Sequence, residues 1–205
     1  MHWIAMITML IDHIGAVFFP EHSVLRIIGR IAFPIYAFSI FLGYKHTRNV
    51  KRYSFRLFII AVVSQIPFMA AFNQSTLNVV WTLLASLLVL QALDKVKNEV
   101  AAVFIVFSAG FIMEISTMDY GMYGLLLVLI YRYTEGFVMV FAHLFLNIID
   151  MLQSQIQIWS TISSLFIAFA IYKGALLRSS VPRWLWTSFY PLHLAIIGIV
   201  RIYLR

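Results

Sequence analysis

Apolar runs long enough to cross a bilayer follow one another along this chain, with only short polar connections between them. They fall at about 3–19, 24–44, 55–72, 78–93, 100–117, 121–134, 136–150, 160–172 and 185–204. A span needs about 20 mainly apolar residues, fewer where it is short or broken. The pattern predicts an all-α fold: a polytopic integral membrane helical bundle of about nine transmembrane helices, between eight and ten, forming one domain over 1–205. The sixth and seventh runs meet at "YRYTEG" and read as two spans or as one broken, re-entrant pair. No internal repeat is evident, which weighs against an inverted-repeat transporter.

Composition supports the same class. The chain is 62% hydrophobic and only 11% charged, against roughly a quarter charged in a soluble domain. The first run lacks a basic leader and a small-residue cleavage site, so it reads as a retained helix. The absence of cysteine excludes disulfides, thiolate catalysis and Cys-based metal sites, and no metal site is expected. The net charge of +7 sits in short loops, as topology signals do, so a lipid bilayer and no nucleic acid is the expected environment. The loop "YKHTRNVKRYSFR" holds Lys45, Arg48, Lys51, Arg52 and Arg56. Placing it in the cytoplasm puts the N-terminus inside and leaves only Arg26, Arg30, Arg201 and Arg205 toward the other side. Lys51 is then cytoplasmic and Arg205 external.

Ionisable groups inside a membrane are functional candidates by default. Asp12 and His13 stand side by side within "MITMLIDHIGAVFFP", one residue past the middle of the first span. Adjacent helical residues point about 100° apart and cannot form a straight dyad, so Asp12 needs another partner. Arg30, on the next span at similar depth, is the expected one, and the pair is structural, functional or both. His13 and His193 sit in polar clusters, "IDH" and "FYPLH", and imidazole is suited to take a proton at neutral pH. His143, between Ala142 and Leu144, reads as a core histidine. Pro191 interrupts the last helix, and irregular backbone at membrane depth is tolerated where it lines a cavity. "GRIAFPIYAF", "SQIPF" and "DYGMYG" add further glycine and proline positions around such a cavity. Most Trp and Phe residues read as interfacial belt or packing.

The motifs "IAMITMLIDHIGAVFFP", "LRIIGRIAFPIYAFSIFLGYKHTRNVKRYSFRL", "VSQIPF", "YGMYG" and "FYPLHL" together resemble the TraX family of membrane proteins, named for the F-pilin acetylase. That family looks like a compact relative of the acyltransferase type 3 superfamily. The resemblance implies transfer of an acetyl group from acetyl-CoA to an amine or hydroxyl, for the named member the N-terminal amine of a pilin subunit. The positions that match are Asp12, His13, Arg30, Pro34, Tyr190 and His193. It implies a multi-pass enzyme of the bacterial inner membrane whose acceptor is a membrane-associated peptide, lipid or glycan.

Attack on a thioester requires a base and a group that steadies the developing oxyanion. His13 is the expected general base. Arg30 either stabilises charge or holds Asp12, and His193 or Tyr190 donates to the carbonyl or the departing thiolate. Direct transfer is favoured, since no cysteine is present. The phosphates of acetyl-CoA need a basic patch, which Lys45, Arg48, Lys51, Arg52 and Arg56 supply, with Arg178 and Arg183 as further contributors. The rival readings are a proton-coupled transporter, with Asp12, His13 and Arg30 as a relay, and a non-enzymatic membrane subunit or chaperone.

Overall fold

The computed structural model describes residues 1–152, 154–174 and 181–204, and among these the regular structure is helical, joined by short turns, with one isolated bridge between Leu77 and Met118. Arg178 and Arg205 lie outside the described residues, as does the side chain of Arg183. The helices run in the order α1 (His2–Phe18), α2 (Ser23–Gly29), α3 (Ala32–His46), α4 (Val50–Phe72) and α5 (Val79–Leu93). They continue with α6 (Glu99–Ile115), α7 (Gly121–Tyr133) and α8 (Gly136–Asp150), then a 3-10 turn (Gln155–Ser160) leading into α9 (Thr161–Tyr172), and finally α10 (Arg183–Tyr203). Four stretches, Ser23–His46, Val50–Phe72, Gln155–Tyr172 and Trp184–Tyr203, are long and apolar enough to cross a membrane. Shorter apolar helices lie between them. Phe104, Phe107, Phe111, Phe141 and Phe145 face outward, as side chains solvated by lipid do. This is a membrane protein.

Two boundaries differ from the sequence expectation. The run at 24–44 is not one helix: it breaks at Arg30 and Ile31, between α2 and α3. Pro34 has no N–H to offer the carbonyl four residues back, which is that of Arg30. In the first turn of α3 the missing donor costs nothing there, so the break falls where Arg30 stands. The second difference is the basic segment expected as a loop. α4 begins at Val50 rather than at 55, so Lys51 and Arg52 are helical along with Arg56. Asn49 starts it, its side-chain oxygen accepting from the Arg52 N–H at 2.9 Å, as an N-cap residue does. Asn78 caps α5 in the same way through the Val80 N–H, at 3.0 Å. "YRYTEG" separates two distinct helices, α7 and α8.

Successive helices return the chain between two ends of the bundle. At one end Tyr44 of α3, Asp94 after α5 and Arg132 of α7 are joined by hydrogen bonds. At the other, Leu77 pairs with the segment before α7: its N–H donates to the Thr117 carbonyl at 3.1 Å, and its carbonyl accepts from the Asp119 N–H at 2.9 Å. There too Arg201 of α10 donates to the Ala71 carbonyl of α4, at 2.8 Å. The centre is filled by Leu87, Leu90, Leu125, Leu127 and Val128 with no exposed surface. A second cluster, around Met9, Ala61, Phe68, Tyr190 and Leu194, joins α1, α4 and α10. α4 and α10 lie side by side and parallel, Gly198 of α10 meeting Ala70 of α4. Small residues at such a crossing let membrane helices approach closely.

Gly29 has a comparable role nearer the polar centre. A Cβ at that position would overlap the Asp12 side chain, so only glycine lets α2 lie against the carboxylate. Gly29→Ala is expected to cost about 1–3 kcal/mol, seen as a lower Tm of the purified protein. An unchanged Tm would show that this approach is not needed.

Candidate functional site

A cavity of about 1140 Å³ opens inside the bundle, lined by α1, α2, α3, α4, α10 and the segment before α7. Its polar floor begins with Asp12, which is buried. Both carboxylate oxygens lie 3.0 Å from Nη2 of Arg30. Nη1 of Arg26 lies 2.8 Å from Asp12 Oδ2 and also donates to the Asp12 carbonyl at 3.2 Å. The expected Asp12–Arg30 pair is therefore present, but as part of a triad in which one carboxylate faces two guanidiniums. In the sequence Arg26 reads only as a topology charge. Its spacing of four from Arg30 puts both on one helical face, a signal that was there to be read.

Arg30 is also held from its far side. Its Nη1 donates to Gln157 Oε1 at 3.2 Å, and Gln157 Nε2 donates to the Tyr123 hydroxyl at 3.0 Å. Tyr123 continues to Asn147, at 2.8 Å, and to His143 Nε2, at 3.0 Å. His143 Nδ1 meets the Ser164 hydroxyl at 2.6 Å. His143 is thus the satisfied core histidine expected of it, one member of a buried network that braces the arginine. Gln157 carried no signal in the sequence, and Tyr123 stood out only as part of the "YGMYG" motif, because their partners come from distant helices.

The two other histidines meet directly. His13 Nδ1 lies 2.7 Å from His193 Nε2, with the rings stacked, and His193 Nδ1 lies 2.6 Å from the Phe189 carbonyl. A carbonyl can only accept, so His193 carries its proton on Nδ1 and, when neutral, offers the lone pair of Nε2. His13 must then donate from Nδ1, and its own Nε2 is left as the basic nitrogen. His13 lines the cavity, whereas both ring nitrogens of His193 are engaged behind it. This geometry suits His193 to orienting His13 rather than to donating toward a ligand. Tyr190 also lines the cavity, its ring 6.3 Å from that of His13, while Phe72 packs edge-on to His13 at 5.1 Å.

Asp119 and Tyr120, from the segment before α7, reach the same cavity. Tyr120 stacks on Phe33 and lies under the Arg30 guanidinium, 5.8 Å from its ring centroid. Burial raises the Asp119 carboxyl to about 6, against the opposing pull of Arg30. Among the described residues no cluster of His, Asp and Glu is arranged to hold a metal ion.

The basic residues divide. Arg48, Arg52 and Arg56 line the same cavity at its opposite end, with His46 and Asn49. Among the described residues none of these three guanidiniums has a carboxylate partner. Lys45 does not reach it: its ammonium lies over the Phe41 ring at 5.9 Å and lines a separate hollow with Asp94 and Arg132. Lys51 is exposed and lines neither. Helical geometry makes part of the division, since Arg52 and Arg56 stand four apart on α4 and share one face that Lys51 does not, while Arg48 precedes the Asn49 cap in the turn between α3 and α4.

Fold and site together define a helical membrane protein whose interior cavity joins a cationic mouth to a buried Asp–His–Arg centre. Residues 1–201 match the family described as TraX protein, and the chain belongs to it. It is similar to a curated protein of Dichelobacter nodosus, the probable fimbrial assembly protein FimC of serogroup H1, with 27% identity over 233 aligned residues. That match covers 98% of this chain and 94% of the relative. An uncharacterized protein of Rickettsia prowazekii (strain Madrid E) is 42% identical over 71 residues, 35% of this chain and 27% of that protein. No solved structure matches the chain.

Proposed function

We propose that this protein is a membrane-embedded acetyltransferase that moves an acetyl group from acetyl-CoA to an amine or hydroxyl of a membrane-associated acceptor. The observation that carries the reading is the single cavity with unpaired arginines at one end and His13 at the other. Along α4, Arg56 stands at the mouth and Phe72 packs on His13; at ~1.5 Å per residue the two are about 24 Å apart. That is a span which coenzyme A covers with its pantetheine arm extended, its phosphates at the arginines and its thioester beside the imidazole. The fimbrial-assembly name of the Dichelobacter relative favours a pilin-like peptide N-terminus as acceptor, over a lipid or a glycan. With acetyl-CoA in the cytoplasm, the cationic mouth faces inward in a bacterial inner membrane.

In the proposed reaction His13 Nε2 takes the proton of the acceptor amine or hydroxyl as that atom bonds to the thioester carbonyl carbon. The carbonyl oxygen becomes an oxyanion in a site where two arginines face one Asp12 carboxylate, and the Tyr190 hydroxyl is a donor on the same wall. As the C–S bond breaks, the thiolate leaves and takes the proton from His13. Preorganised charge of this kind is worth far more in a dry cavity than in water.

The test is acetyl transfer by the purified chain, with thermal stabilisation by acetyl-CoA or CoA as the binding readout. A proton-coupled transporter or a non-enzymatic subunit would give neither. Neutralising Arg48 and Arg52 to Gln is expected to raise the KM for acetyl-CoA by about a hundredfold or more, because charge-assisted hydrogen bonds contribute about 1.5–3 kcal/mol each, with a smaller effect on kcat. Lys45→Gln with Lys51→Gln, in the same basic segment but outside the cavity, is the control. Equal effects from both pairs would mean that the arginines act only through general surface charge.

A further inference from the structure

The cationic mouth has an aromatic side that the acetyl-transfer reading does not by itself require. Trp184 and Trp186, in the first turn of α10, line the cavity with the arginines of α4. The parallel packing of the two helices explains why. Arg201 bonds the Ala71 carbonyl and Gly198 meets Ala70, and following both helices back by the same number of residues brings Trp184 and Trp186 level with Arg56 and its neighbours. Trp186 is already engaged: its indole stacks on Tyr36 at 4.6 Å and receives His2 edge-on at 4.3 Å. Trp184 has no ring partner among the described residues and is 69% exposed. A Trp that only anchors the bundle in the interface would turn to lipid, but this one lines the cavity beside unpaired guanidiniums.

We infer that Trp184, backed by the Trp186–Tyr36 stack, is the platform for a purine base whose attached phosphates are held by Arg48, Arg52 and Arg56. The inference rests on the proposed use of acetyl-CoA and deepens it, assigning the adenine ring of the donor to α10 and its phosphates to the first turns of α4 and to Arg48 just before it. Base stacking on an aromatic side chain is worth about 1–3 kcal/mol, and guanidinium forks suit phosphate oxygens. The consequence is that the nucleotide half of the donor supplies affinity at the mouth while the acyl half reacts deep in the bundle.

The first measurement is direct binding of adenosine 3′,5′-bisphosphate to the full-length purified protein, which needs no turnover. The wild type is expected to bind it in competition with acetyl-CoA. Trp184→Ala should weaken binding on the order of tenfold, and Trp184→Phe, which keeps a flat ring, should retain most of it. The second measurement compares acetyl-CoA with S-acetyl-pantetheine, a donor without the nucleotide: Trp184→Ala should raise KM for the first and leave the second unchanged. Failure of the wild type to bind the bisphosphate, or equal losses with both donors, would overturn the assignment. If neither donor supports transfer but the bisphosphate binds through Trp184, the base platform stands and the transferase reading falls.

Discussion

His13→Ala is expected to abolish acetyl transfer while leaving acetyl-CoA binding and the thermal transition nearly unchanged. A positioned general base contributes roughly 10²–10⁴-fold to a rate. The loss should appear in kcat, since the proton is taken only in the transition state. The hydrogen bonds behind His13 add a second arm. Because His193 Nε2 accepts from His13 Nδ1, His193→Gln, whose amide oxygen can still accept, should keep more activity than His193→Ala. The two should also differ in the pH profile of kcat, because the tautomer of the base is held in one and free in the other. Near-normal transfer by a well-folded His13→Ala protein would remove His13 from the chemistry. Equal losses at His193 with an unaltered pH profile would reduce that residue to packing.

Asp12→Asn is expected to be the most destabilising single change in the centre. It leaves Arg30, with only 10% of its side chain exposed, as a buried charge that has lost its direct carboxylate partner. Breaking a buried pair from one side costs about 3–5 kcal/mol, a drop in Tm on the order of 10 °C for a chain of this size. The triad alters what the double variant should do. Asp12→Asn with Arg30→Gln removes the buried cation and should recover most of the stability, because the Arg26 side chain left behind is 28% exposed and can reach water. Activity should not return with it if the positive charge of Arg30 serves the oxyanion. A Tm within a degree or two of wild type for Asp12→Asn alone would show that the triad carries little of the fold's stability. Restored activity in the double variant would show that charge at Arg30 is dispensable for transfer.

Hydropathy by itself determined that this is an all-helical membrane protein and where its helices lie, because lipid leaves an apolar segment of this length few ways to satisfy its backbone. The same physics marked Asp12, His13, Arg30 and His193, since a charge or imidazole at membrane depth is too costly to be incidental. Family membership was legible for a similar reason: those residues, with the prolines beside them, recur in order along nearly the whole chain. What one-dimensional reading missed are the relations between helices. It joined α2 to α3, because hydropathy does not register a carbonyl deprived of its donor by Pro34. It grouped Lys45 and Lys51 with Arg48, Arg52 and Arg56, because charge density along a sequence has no faces until Asn49 starts a helix there. Only the tertiary structure could decide that His193 stands behind His13 rather than across from it, that Gln157 and Tyr123 brace Arg30, and that Trp184 reaches the mouth. Each of those contacts depends on a crossing and a register between helices far apart in the chain, set by packing at positions such as Gly29, Ala70 and Gly198, whose local sequence is ordinary for a membrane span.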